Sequence, residues 1–179
     1  MVEPWDIDDR ARELLENVCG FPVGAMPSGL AMLPESQDLE CIAGDGCGGC
    51  FYLWHSQGRG DRVPVVYLSS YGEASRFADN FADALTIVAA FPGYWGDMLV
   101  GACKGGDRIG PYIAHYEAQL EPGYAEARAE LCDLLALDPA SAGDKLVAAV
   151  GAEPPFAPLL DSDEEPTPAG SFAARPYPR

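Results

Sequence analysis

Residues 44–70, GDGCGGCFYLWHSQGRGDRVPVVYLSS, decide how the chain folds. A glycine-dense turn, Gly44-Asp45-Gly46-Cys47-Gly48-Gly49, runs straight into the apolar stretch Cys50–His55. A polar loop, Ser56–Arg62, separates that stretch from a second one, Val63–Ser69. Aromatic and β-branched residues bounded by glycine clusters suit a pleated surface, so the spacing predicts a β-hairpin with a long loop. In the first run Phe51, Leu53 and His55 alternate with Cys50, Tyr52 and Trp54, and a period of two sends these sets to opposite faces. Large apolar groups on both faces predict a central strand covered on both sides. Pro64 has no amide hydrogen to give a ladder, so it marks the start of the second strand.

Outward from the hairpin, Leu39–Ala43 reads as a short strand that feeds the glycine turn. Tyr71-Gly72 reads as a turn, and Glu73–Ala78 as a third short strand after it. A helix is expected from Asp79 or Asn80 to Phe91, with Phe81, Ala84, Leu85, Val88 and Phe91 at helical spacing and Pro92 as its stop. A short helical piece follows at Trp95–Val100. Before the hairpin, Asp8 or Asp9 can cap a helix running to about Cys19, which Gly20 and Pro22 end. Phe21–Asp38 is dense in proline and glycine and reads as an irregular crossing. The second half reads as helical, with candidates at Tyr112–Leu120 and at Tyr124–Leu137. Ala127, Leu131, Leu134 and Leu135 align in the latter. Asp138-Pro139 supplies a cap and an N-terminal proline for a last helix closing at Gly151. The expected class is α+β, a small sheet packed by helices, in a single domain over residues 1–151. Residues 152–179 read as a proline-rich acidic tail, with Phe156–Leu160 as an edge element and disorder beyond it.

The formal charge is −17, from 28 acidic and 11 basic side chains spread along the chain. A phosphate backbone needs a basic surface, so nucleic acid is excluded as a partner, and so are anionic membranes. Basic protein partners remain, beside plain solubility. MVEPWDIDDR has no basic region followed by an apolar one, as a secretory signal would. The charge-free stretch Asn17–Pro34 is broken by Pro22, Pro27 and Pro34 and is no membrane helix. Six cysteines without a signal point to reduced thiols and a cytoplasmic location.

Several patterns touch on chemistry. Gly44-x-Gly46-x-x-Gly49 matches a dinucleotide fingerprint in letters, but that mechanism needs the turn to open a helix, and here Cys-Phe-Tyr-Leu-Trp follows. The glycines then serve a tight positive-φ turn. Cys47-Gly48-Gly49-Cys50 is half of a zinc knuckle; the other candidate ligands, Cys19, Cys41, Cys103, Cys132, His55 and His115, are scattered singly. Cys47 and Cys50 are the metal candidates if there are any, with Cys50 otherwise a small core residue. Asp45, Cys47 and His55 leave an enzyme open, but no nucleophile elbow, His-Glu-x-x-His or phosphate loop is present. No cofactor is expected. Trp54, Tyr67, Tyr71, Tyr94, Trp95, Tyr112 and Tyr116 suit an interface or a core.

Three segments resemble the SUKH superfamily, known for bacterial toxin-immunity proteins and related to a yeast cell-wall synthesis regulator. They are IAGDGCGGCFYLW (Ile42–Trp54), VPVVYLSSYGEASRFADNF (Val63–Phe81) and ALTIVAAFPGYWGDML (Ala84–Leu99). The resemblance implies a mixed or antiparallel, curved sheet packed by helices. It makes Gly44, Asp45, Gly46, Gly48, Gly49, Tyr71 and Gly72 structural turn residues of the family. It also implies a non-enzymatic protein that binds a partner, plausibly a basic toxin, and neutralises it. A regulatory or scaffold module with a housekeeping partner is the alternative, and an enzyme or zinc protein built on the Gly44–Cys50 turn is the third reading. The family's Leu-Pro motif stands here as Leu33-Pro34-Glu35-Ser36, only a few residues before Leu39, so the N-terminal third departs from the pattern. The loop Gln57–Arg62 and the acids near the turns are candidate contacts, because loops display functional groups.

Overall fold

The computed structural model of the chain describes residues 6–24, 38–70, 73–93, 95–106, 109–111, 115 and 122–152. The Tyr71-Gly72 turn, the Leu33-Pro34 motif, Tyr94, nearly all of the Tyr112–Leu120 helix and the tail from residue 153 lie outside the described residues.

The runs on either side of the glycine turn pair with each other. Strand β1 (Leu39–Gly44) lies antiparallel to β2 (Cys50–Trp54), from Leu39 opposite Trp54 to Gly44 opposite Cys50. Strand β3 (Val65–Leu68) continues the sheet, then β4 (Ala74–Ala78), in the order β1-β2-β3-β4 with every pairing antiparallel. Short connections permit only this pairing, because a parallel one needs a long crossover. The protein is α+β, with an antiparallel rather than a mixed sheet.

Strand β2 ends one residue earlier than the alternation predicts. The amide of Trp54 donates to the Pro64 carbonyl (2.9 Å), and Pro64 has no amide to return. With the ladder stopped, the chain turns through His55–Gln57 and Gly60–Arg62, and His55 leaves the sheet for solvent.

Helix α1 (Asp9–Asn17) begins where Asp8 accepts from the Arg10 amide, and buries Ala11, Leu14 and Leu15. Helix α2 (Phe81–Ala90) is capped by Asn80, whose Oδ1 accepts from the Asp83 amide at 2.8 Å. Seven consecutive residues of α2, Ala84–Ala90, are buried, so it is covered on all sides over its last two turns. Helices α3 (Trp95–Cys103), α4 (Tyr124–Leu135) and α5 (Ala142–Val150) follow, and Asp138 and Pro139 open the last through a 3-10 turn. Helix α5 packs on β4, α2 and α3, while α1 packs on α4. The Lys145 ammonium pairs with the Asp83 carboxylate and ties α5 to the start of α2.

Phe51 sits at the centre of the main core. Its ring centroid lies 4.9 Å from that of Phe21, 4.8 Å from Tyr67 and 5.0 Å from Phe77 and Trp95, and three of the four contacts are edge-on. Such pairs add about 0.5–1.5 kcal/mol each to plain burial. The other face of the sheet holds a smaller buried cluster, Cys50, Tyr52, Val66, Leu68 and Ala74, flanked by half-buried Leu39, Cys41 and Trp54. Strand β2 is therefore central and buried on both faces, as its composition predicts. Leu134 departs from the predicted helix stripe. It is 48% exposed, because the core takes only the narrow line through Ala127, Leu131 and Leu135. Among the described residues, no helix is long and apolar enough to cross a membrane.

Candidate functional site

The glycine turn is organised by one carboxylate. Asp45 Oδ1 accepts from the amides of Cys47 (2.8 Å) and Gly49 (2.7 Å), and Oδ2 accepts from the Tyr67 hydroxyl at 2.7 Å. Gly46 and Gly48 take positive φ (71° and 96°), which lets the backbone curl around that carboxylate. Gly49 is required for a different reason: a Cβ there would stand 2.7 Å from the Tyr67 hydroxyl oxygen and against the Asp45 carboxylate. Gly44 closes β1 opposite Cys50. Burial, and then the neighbouring Asp45, push the Tyr67 phenol well above its ordinary range, so it remains a donor to the carboxylate. Asp45 thus has both oxygens engaged within the turn. Because β2 follows Gly49 directly, the turn opens a strand and not a helix, and the phosphate-binding arrangement lacks its essential part.

The remaining candidates separate. Cys47 is exposed on the turn, while Cys50 is buried under the sheet. The thiol that shares a face with Cys50 is one that sequence spacing did not single out: Cys41 on β1 packs against the buried cluster of Cys50 and Tyr52, and its Sγ donates to the Ala43 carbonyl at 3.9 Å. His55 is exposed and its Nε2 lies 2.7 Å from Glu40 Oε2 across the strand ends. Among the described residues, no three His, Cys, Asp or Glu side chains gather in a metal-binding group. Ser56, Gln57, Arg59, Asp61 and Arg62 in the hairpin loop are all exposed, and two of the five are basic.

The most extended polar feature lies on the helices. On α1, Asp9, Glu13 and Glu16 recur at i, i+4 and i+7, opposite the buried Ala11-Leu14-Leu15 face. On α4, Glu126, Glu130 and Asp133 repeat that spacing, and all six acids are exposed. The two helices pack together, and Arg10 clamps them. Its Nε and Nη2 donate to the two oxygens of Glu130 at 2.7 and 2.8 Å, and its Nη1 donates to Glu13 at 2.8 Å. This fork holds Glu130 below the ordinary carboxylate range and Arg10 above its own. The pair of helices remains acidic on this side, with three arginines (Arg10, Arg12 and Arg128) on the two helices against the six carboxylates, and Leu134 lies exposed one turn beyond Glu130. The helical spacing of these acids was present in the sequence. What it lacked was the adjacency of α1 and α4, which are more than a hundred residues apart.

Comparison of the chain with protein-family models, with curated proteins and with solved structures gives no match.

Proposed function

We propose that this is a non-enzymatic protein-binding domain of the SUKH type, which binds and neutralises a basic toxin through the paired acidic faces of α1 and α4. The observation that carries the reading is the ridge itself, six exposed carboxylates on two packed helices beside an exposed leucine. A field of one sign raises the encounter rate with an oppositely charged partner, and an apolar group among the charges supplies an anchor that water does not compete for. The order of the strands around the glycine turn supports the family reading, since the segments that resemble the superfamily form β1, β2, β3, β4, α2 and the start of α3 in one continuous meander. The net charge of −17 is in keeping with a basic partner. On this reading the protein stays in the cytoplasm with its partner.

Co-expression with the product of each gene adjacent to its own, scored for toxicity and for protection, tests the proposal. The chain restores growth, and the two proteins co-purify as a complex. No protection together with no complex would overturn it, and a stable partner without toxicity would replace immunity with a scaffold role.

A further inference from the structure

The bulge in β1 has a chemical consequence. Ladder partners run Gly44 to Cys50, Ala43 to Phe51 and Cys41 to Tyr52, so Ile42 is the inserted residue. Cys41 stands three positions before Gly44, and strict alternation would send its side chain to the opposite face from Cys50. The inserted residue reverses that parity and brings Cys41 to the face that carries Cys50 and Tyr52. Gly44, directly opposite Cys50, has no side chain to come between the two thiols. Cys50 is 1% exposed and Cys41 half-buried on the strand that begins the sheet, so the pair is shielded on one side and approachable on the other.

We propose that Cys41 and Cys50 are a peroxide-sensitive dithiol that closes into a disulfide between β1 and β2. One thiolate of the pair displaces hydroxide from hydrogen peroxide and becomes a sulfenic acid. The other thiol then attacks that sulfur, gives up its proton and expels water. In sum, two thiols and one peroxide give one disulfide and two waters, with both sulfurs oxidised and the peroxide oxygens reduced. Among the other thiols, burial pushes Cys19 up to about 12 and raises Cys103 and Cys132 as well.

The experiment treats the reduced full-length chain with hydrogen peroxide, alkylates the remaining thiols and maps the peptides by mass spectrometry. The alkylated count falls by two from six. One peptide joins Cys41 to Cys50, and dithiothreitol reverses the change. Cys47→Ser leaves that bond intact. Cys41→Ser abolishes it, and so does Cys50→Ser. A bond between Cys47 and Cys50 would overturn the proposal, and so would full alkylation of Cys41 and Cys50 after Cys47 has been oxidised.

Discussion

The glycine turn and the α1–α4 helix pair are both polar, and they differ in what their polar groups still have to offer. In the turn, Asp45 is engaged on both oxygens by Cys47, Gly49 and Tyr67. In the helix pair, Arg10 engages Glu13 and Glu130, and the other four acids of the two stripes stand exposed. A motif-rich stretch can thus serve mainly to hold a fold, while an unremarkable charge pattern on two helices supplies the surface available to a partner. On the proposed function, the turn belongs to stability and the ridge to recognition.

That division can be broken by substitution. The largest effect is expected at Phe51, the aromatic centre that follows the turn. Phe51→Ala should cost about 3–5 kcal/mol in chemical denaturation, because four ring contacts leave a cavity that rigid neighbours do not fill. A loss below about 1 kcal/mol would show that this core is not organised around β2. Asp45→Ala strands two amides and a phenol, and should lower stability by about 1–3 kcal/mol. Partner binding by the folded fraction should be unchanged.

Paired charge reversal on the ridge should act the other way round. Glu16→Lys with Asp133→Lys places cations in the last turns of α1 and α4, where the helix dipole favours them, so stability should stay within about 0.5 kcal/mol of the parent or rise slightly. Affinity for a basic partner should fall at least tenfold, with a weaker dependence on salt. The smallest effect concerns acid. The Glu130 carboxyl is held below its ordinary range in the folded chain, so its pairing with Arg10 contributes above the unfolded carboxyl pKa of about 4.3 and is lost as pH falls through the lower folded value. In urea titrations at acid pH the parent should lose stability more steeply than Glu130→Gln. Parallel profiles would remove the clamp from the account.

Much of the fold was legible in the residues. Period-two alternation in Cys50–Trp54, the proline at 64, and the caps at Asp8, Asn80 and Asp138 are local signals, and each falls where the structure needs it. What was hidden depended on contacts between distant residues. Leu134 fits a helical stripe by spacing, but how wide a face the core covers is set by neighbouring elements. Cys41 was hidden for a subtler reason, because one bulged residue inverts the parity that alternation assumes. Cys47-x-x-Cys50 has the spacing of a pair, yet the strand register brings a different thiol, Cys41, to the face of Cys50. The acidic ridge needed α1 and α4 to be known as neighbours.

The most direct measurement is affinity capture from the native cells with three tagged forms side by side: the parent, Asp45→Ala and Glu16→Lys/Asp133→Lys. The account predicts one basic partner held by the parent and by Asp45→Ala, and released by the doubly reversed ridge. A partner retained by the reversed ridge, or lost only with Asp45→Ala, would contradict it and move recognition to the glycine turn.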